Sequence, residues 1–406
     1  MPNRRTINWI ALFSSNFLGV FNDNLLKNSI IFFSITWYLP SWLNQSQLIS
    51  IVSGALILPY LIVSPYAGNL TVRVSKLKIF RLFKFLEIPI MLIASISFVI
   101  QSVYLAIVAV LLMGIQSCMY SPSKYSIIRD IGGETKVAFG SGVLETMAFL
   151  GILLGTVLAA FISDKYSVEV LIVFFMLTAL MGYWATASIK VEELAVENHK
   201  QSNNPLLFLK QSYRMAQSFK GVNAAILGSA FFWFIGGLLQ MNLVIHTKAV
   251  YAASNTQTGI VMSVAALAIA IGCTLAAKFA GETTGRKFIL PALFAMSVFL
   301  VFLTFFKLSF TLYVICVFGF AIAGGFFQVP NLAIIQKSDA GRRLGDLFAY
   351  LNLTTFVFIL IGTVLFSLIT YLTNENSFVV FGVILICCVG ALVAFQRYYK
   401  KNKFSK

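Results

Sequence analysis

Charge is what this sequence has little of. Asp, Glu, Lys and Arg make up 11% of the 406 residues and hydrophobic residues 59%. That charged share is under half the ~25% usual for soluble domains, so a water-soluble globular class is excluded. Acids are the scarcer sign, 14 against 30 Lys and Arg, for a net charge of +16. Histidine occurs only at His199 and His246, too few for a metal cluster. Neither is followed five residues later by Asp, since Asn204 and Tyr251 stand there, so the His-x4-Asp pattern of glycerolipid acyltransferases is absent. The cysteines (Cys118, Cys273, Cys316, Cys387, Cys388) all lie in apolar runs. They show no metal spacing and read as packing residues. No cofactor or metal is implied, and no nucleophile–base set points to an enzyme.

What is there is a succession of apolar runs of membrane-spanning length. The first, about residues 9–38, is too long for a signal peptide and lacks a small-residue cleavage site, so it reads as a true span. Segmentation predicts twelve spans, beginning near Trp9, Gln47, Ile79, Tyr104, Val137, Val168, Val222, Thr256, Phe288, Leu312, Asp346 and Ser377. With the amino terminus inside, Lys165, Lys248 and Lys307 face out and Lys27 is buried; every other Lys and Arg is cytoplasmic. By the positive-inside rule both termini are then cytoplasmic. The basic charge thus marks topology rather than nucleic-acid binding, and the tail 397–406 is expected near anionic headgroups.

The chain repeats itself. Gly151-Ile-Leu-Leu-Gly-Thr-Val-Leu158 in the fifth span reappears as Phe358-Ile-Leu-Ile-Gly-Thr-Val-Leu365 in the eleventh. Ala67-Gly68 is matched by Ala280-Gly281, and Pro122 by Pro330. Three matches in order argue for two homologous halves. The expected fold is all-α, with twelve transmembrane helices in two pseudo-symmetric six-helix bundles, the major facilitator architecture, and a substrate site between the bundles. The domains read as 1–189, a cytoplasmic linker 190–220, and 221–406. The linker holds Glu192, Glu193 and Glu197, breaks at Asn203-Asn204-Pro205, and continues as Leu207, Phe208, Lys210, Tyr213, Arg214 and Met215. An interfacial amphipathic helix and a solvated linker both fit it.

The loops after the second and eighth spans carry glycine followed by a basic cluster. They run from Gly68 through Arg73, Lys76 and Lys78, and from Gly281 through Glu282, Arg286 and Lys287. The facilitator pattern has an acid in the first loop that latches the closed inside. Val72 occupies that place, so a first-half latch is weakened or differently built, and Glu282 with Arg286 is the candidate in the second half. Positive-inside topology signals alone also fit these loops.

Polar groups inside the spans are the candidates for function, because an Asp or Lys at a helix centre costs about 2.5–3.5 kcal/mol on insertion scales. The first span holds Asn22-Asp23-Asn24, with Lys27 one turn on. Mutual neutralisation of Asp23 and Lys27 is the plain alternative, but it leaves two amides needing partners. Glu87 lies near Arg81 and Lys84 and reads as a snorkelling ion pair. Glu145 is deeper, and its expected cation is Lys124, which Pro122 would turn from the interface towards a cavity, with Tyr125 beside it. A snorkelling helix-end lysine is the other reading of Lys124. The second half is uncharged here: Phe232, Trp233, Gly236-Gly237 and Gln240 in the seventh span, Gly324-Gly325-Phe326-Phe327-Gln328 before Pro330 in the tenth. A charged bundle and a greasy one suit an amphiphile with a polar head and an acyl chain.

At these positions the sequence resembles the lysophospholipid transporters of the major facilitator superfamily, over most of its length. The resemblance rests on Phe21-Asn22-Asp23-Asn24, Tyr120-Ser-Pro-Ser-Lys124-Tyr125, Gly142-Val-Leu-Glu145, Phe232-Trp233 and Gly324-Gly-Phe-Phe-Gln-Val-Pro330. It implies inward movement of lysophospholipids, such as lysophosphatidylethanolamine, across the bacterial inner membrane for reacylation. The first- and seventh-span runs look closer to the branch fused to an acyltransferase. The sequence to Lys406 carries no such enzyme, so the expectation is a monomeric transporter, with a separate cytoplasmic acyltransferase as a partner to look for. Where some members have a seventh-span arginine to pair with the aspartate, Gln240 stands here, leaving Lys27 or Lys124 for Asp23. A proton-coupled exporter of a drug, siderophore or metabolite is the competing reading, and a non-transporting scaffold or enzyme a third.

Overall fold

The computed structural model describes residues 4–34, 37–40, 43, 45–196, 201–253 and 255–403. Glu197, His199 and the last three residues of the basic tail lie outside them. The described residues form fourteen α-helices joined by short turns. In chain order they are α1 (Arg4–Phe33), α2 (Gln45–Ile62), α3 (Ser64–Arg73), α4 (Lys76–Val99), α5 (Val103–Gly132), α6 (Val137–Lys165) and α7 (Val168–Ser188). Then follow α8 (Pro205–Gln217), α9 (Val222–Tyr251), α10 (Asn255–Ala280), α11 (Ile289–Phe305), α12 (Phe310–Gln336), α13 (Leu344–Leu372) and α14 (Ser377–Lys403).

Each of the twelve predicted runs corresponds to a long helix, and two helices are additional. The second span continues past a 49° bend as α3, because Pro65 supplies no N–H to the ladder and restarts the helix at its first turn. The linker contains α8, capped by the Asn204 side chain on the amides of Leu206 and Leu207, with Pro205 at the first position. Among the described residues ten helices are long and apolar enough to cross a membrane, eleven with the bent pair. α1 falls short because Asn8, Asn16, Asn22, Asn24 and Asn28 dilute its apolar face. The chain is a multi-pass membrane protein.

The helices cluster into two compact units. The first comprises Met1–Glu134, Met147–Phe219 and Ser338–Leu353; the second Thr135–Thr146, Lys220–Lys337 and Thr354–Lys406. Helices α6 and α13, equivalent by the internal repeat, are each divided between them.

In the first unit, α1 packs on α5 and α7, and α4 on α5 and α7, around Leu25, Leu26, Ile30, Met91, Phe98, Met113 and Phe175. The repeated glycine motif has its explanation here. A Cβ at Gly155 would lie 2.4 Å from the Phe21 carbonyl oxygen of α1, so glycine lets two backbones meet. In the second unit the matching Gly362 lies under Phe234 of α9, 3.1 Å from a built Cβ. Each copy therefore sets its helix against the opening helix of its own half.

Candidate functional site

The first unit carries a polar core made by α1, α4 and α5. Asn22 is fully buried and donates from Nδ2 to Glu87 Oε1 at 2.9 Å. The other Glu87 oxygen accepts from Lys84 at 2.6 Å and from Gln116 Nε2 at 3.5 Å. Gln116 also donates to the Phe83 carbonyl at 2.9 Å. One residue along α1, the Asp23 carboxylate accepts from Ser117 Oγ at 3.1 and 3.3 Å, and Ser117 reaches Gln116 Oε1 at 3.1 Å. Two parallel bridges thus tie α1 to α5, one through Glu87 and one direct.

Two lysines share an aromatic ring beside this core. Lys84 Nζ and Lys124 Nζ each lie 5.5 Å from the Tyr120 centroid, and Lys124 lies 5.0 Å from that of Tyr125. Tyr125 stacks on Phe348, centroids 5.0 Å apart. Pro122 sits inside α5, two residues before Lys124.

Glu87 corrects the sequence reading. It does not snorkel: its side chain and that of Lys84 are both fully buried, and Arg81 turns away to donate to the Ile189 carbonyl at 2.6 Å. Lys84 joins the polar core rather than the interface, and the sequence carries a signal for it. Lys84 and Glu87 are three apart on one helix face, and Gly19 and Gly182 leave the slot its ammonium fills. Asp23 bonds Ser117 rather than Lys27, and Lys27 is only partly buried. Asn24 donates back to the Val20 carbonyl of its own helix at 2.8 Å, outside the network.

Glu145 falls in the second unit, buried on the stretch of α6 that lies along α10. There a Cβ on Gly142 would meet Ala277 at 2.5 Å, and Thr146 Oγ1 is 2.9 Å from Thr274 Oγ1. The rest of that unit's candidates are aromatic or amide. Phe232 meets Trp233 edge-on at 5.6 Å, and Phe326 lies between Phe279 and Phe288. Phe327 is fully buried against Phe231 and Phe395. Gln328 is buried with no hydrogen-bond partner on Oε1, Gln240 is exposed, and a Cβ on Gly236 or Gly237 would meet nothing within 4 Å.

The loop candidates separate. Gly68 is a close approach in the first unit, a built Cβ lying 2.8 Å from Ala349 Cβ, and Arg73 is exposed. Gly281 ends α10 at φ 58°, and Pro330 sits buried inside α12. Arg286 lies 4.3 Å over the Tyr399 ring rather than against Glu282, which is exposed. A clamp that the sequence did not announce occupies the first loop. Arg342, 1% exposed, donates to the carbonyls of Val72 and Val74 and pairs with Glu193 Oε2 at 2.9 Å. Glu193 in turn accepts from Ser75 Oγ and from the amides of Lys76 and Leu77 at 2.7, 2.7 and 2.9 Å. A cation thus sits at the carboxyl end of α3 and an anion at the amino end of α4, as both helix dipoles favour. Burial works against the charged form of Glu193, but these bonds prevail and hold its carboxyl below the ordinary range. Among the described residues no three His, Cys, Asp or Glu side chains could hold a metal ion.

Comparison with known proteins agrees with this architecture. The lysophospholipid transporter LplT of Photorhabdus laumondii is 26% identical over 403 residues, covering 96% of each chain. That of Escherichia coli O127:H6 is 24% identical over 399 residues, again 96% of each. Among solved structures, the human organic anion transporter MFSD10 superposes with a TM-score of 0.74 at 14% identity, over 97% of this chain and 100% of that one. A bacterial homologue of the iron transporter ferroportin, outward-facing, gives 0.74 at 15%, over 98% and 100%. These two likenesses establish the fold alone. The family model described as Major Facilitator Superfamily matches residues 12–363, and the chain therefore belongs to the major facilitator superfamily.

Proposed function

We propose that this chain is a secondary transporter that moves lysophospholipids inward across the bacterial inner membrane by alternating access. The observation that carries the reading is the contrast between the units. The first buries Asn22, Glu87, Lys84 and Lys124 with the half-buried Asp23 among them, while the tenth-span wall of the second, Gly324 to Pro330, is uncharged and aromatic. A phosphate suits the point charge of Lys124, a headgroup amine suits the Asp23 carboxylate, and an acyl chain suits Phe232, Trp233 and Phe326. Relatives matched over almost their whole length carry the name lysophospholipid transporter. Both termini are taken as cytoplasmic, the chain as a monomer, and its product as the substrate of a separate cytoplasmic acyltransferase.

Uptake of labelled lysophosphatidylethanolamine by spheroplasts tests this. Asp23→Ala and Lys124→Ala should each abolish it at equal expression, and normal uptake in both would refute the assignment. Strict dependence on a proton gradient, with no lysophospholipid uptake, would favour the metabolite exporter instead.

A further inference from the structure

We propose that α8 docks its outer face on the anionic headgroups of the inner leaflet, so that acidic phospholipids hold the linker to the bilayer. The inference rests on the cytoplasmic placement of the linker taken above and goes beyond the transport reading, which gives α8 no role.

The helix spends its inner face on the protein. Phe208, Ser212 and Ala216, each one turn after the last, are buried. The Phe208 ring reaches α3, 3.4 Å from a Cβ built on Gly68. The linker just before the helix is tied to the same place. Asn69 of α3 donates to the Gln201 carbonyl at 3.1 Å and to Asn203 Oδ1 at 2.8 Å, and it accepts from the Gln201 amide at 2.7 Å. Ser212 Oγ donates to Gln201 Oε1 at 2.8 Å. α8 is thereby held at one rotation, and this settles what it turns outward.

The outer face is Leu206, Leu207, Lys210, Tyr213, Arg214 and Gln217, all exposed and recurring at helical spacing. Leu206 is 77% exposed and Leu207 52%. On a span such leucines meet acyl chains; on a linker helix they need another apolar cover. The charge is of one sign: α8 carries Lys210 and Arg214 and no acid, and the acids of the linker, Glu192, Glu193 and Glu197, all precede it. Leucines and a tyrosine interleaved with cations suit a leaflet of anionic lipid, apolar side chains at the acyl boundary and cations at the phosphates. The height fits as well. Gly68 lies a turn and a half before Arg73, where the bent span ends, about 7.5 Å along the axis. A helix packed there is level with the headgroup layer, which adds about 5–7 Å to each side of the hydrocarbon.

The experiment places a nitroxide at Gln217→Cys in the full chain, reconstituted in nanodiscs of phosphatidylethanolamine with or without phosphatidylglycerol. The native cysteines lie in spanning helices, so the unsubstituted chain supplies the background. Accessibility to oxygen against a water-soluble nickel chelate reports whether the face lies in lipid or in water. With phosphatidylglycerol the label should be shielded from the chelate; in phosphatidylethanolamine alone it should stay in water. Lys210→Gln with Arg214→Gln should lower the docked-to-free ratio about 25-fold, about fivefold for each cation near such a surface. Raised salt should act in the same direction. Leu206→Ser with Leu207→Ser should also release the face, with both cations kept, and neither pair touches the packed side. A label equally open to the chelate in both discs overturns the docking and leaves a solvated helix. A label equally shielded in both, or unmoved by loss of the cations, shows another cover and overturns it too. Reaction of Gln217→Cys with an impermeant maleimide in intact cells would overturn the cytoplasmic placement, and this inference with it. Lysophospholipid uptake would still test the transport reading separately.

Discussion

Replacing Arg342 with Met should loosen the turn between α3 and α4 by about 3 kcal/mol, the low end of the 3–5 kcal/mol for breaking a buried pair. The low end applies because Glu193 keeps 11% of its side chain exposed. Methionine retains most of the stem that packs, so the loss is of charge and hydrogen bonds. Four acceptors are abandoned: Glu193 Oε2, the Leu194 carbonyl at 3.2 Å, and the Val72 and Val74 carbonyls where α3 ends. The readout is local opening. Val72 is fully buried, so a cysteine there reacts with a thiol reagent only when the turn opens. With the native cysteines replaced, alkylation of Val72→Cys in inside-out vesicles should be about 100-fold faster in Arg342→Met, as 1.4 kcal/mol is tenfold. Glu193→Gln should act less, because its remaining oxygen still accepts from Leu77 and Ser75. Combining the two should add little to Arg342→Met alone, a coupling of about 2 kcal/mol. Additive effects, or an Arg342→Met rate within about threefold of the parent, would refute the clamp.

The clamp should also be insensitive to pH in the ordinary range. Glu193 is held below its ordinary value of 4.5 in the folded protein, so its contribution is complete above that value and is lost only as pH falls through the folded one. Opening measured by protease nicking at this turn should stay flat from neutrality to about pH 5 and rise below it; a rise already at pH 6 contradicts the assignment. The glycines make a paired test. Gly155→Ala should destabilise by about 1–3 kcal/mol, since its Cβ meets a backbone oxygen that has no room to yield. Gly236→Ala, which meets nothing within 4 Å, should be neutral or gain about 0.5–1 kcal/mol of helix propensity. Equal thermal shifts in detergent would refute the close-approach reading.

How much of this was legible depends on sequence distance. Membrane spans are local properties, so hydropathy located all twelve long helices, and the repeat located the glycine crossings at Gly155 and Gly362. The Asn204-Pro205 signal marks the start of α8 as a cap should. The bend at Pro65 is equally local, but the apolar run continues through it and hides it from hydropathy. What pairs across the chain was not legible. Val72 supplies no acid to the first loop, and the acid found at that turn, Glu193, meets an arginine 149 residues away. No periodicity connects a linker acid to the turn before α13. Glu87 differs: α4 places Lys84 beside it, but nothing in α4 alone shows that Asn22 and Gln116 close over the pair.

That burial has a further implication. A fully buried ion pair is a weak source of stability, since desolvating both charges offsets most of their attraction, and apolar residues of similar size would often serve as well. Lys84 and Glu87 are both 0% exposed, in a chain where charge is scarce. Packing alone would be met by leucine or methionine at either place. What an apolar pair cannot do is hold a carboxylate against Asn22, or keep a neighbouring positive charge beside Asp23 and Tyr120. The polar core of the first unit is therefore better understood as a set of oriented acceptors than as a stabilising network. Exchanging both Lys84 and Glu87 for methionine should then leave the fold intact, within about 1–2 kcal/mol, while abolishing uptake of labelled lysophosphatidylethanolamine. A double variant that takes up the lipid at the parental rate would show the pair to be packing after all.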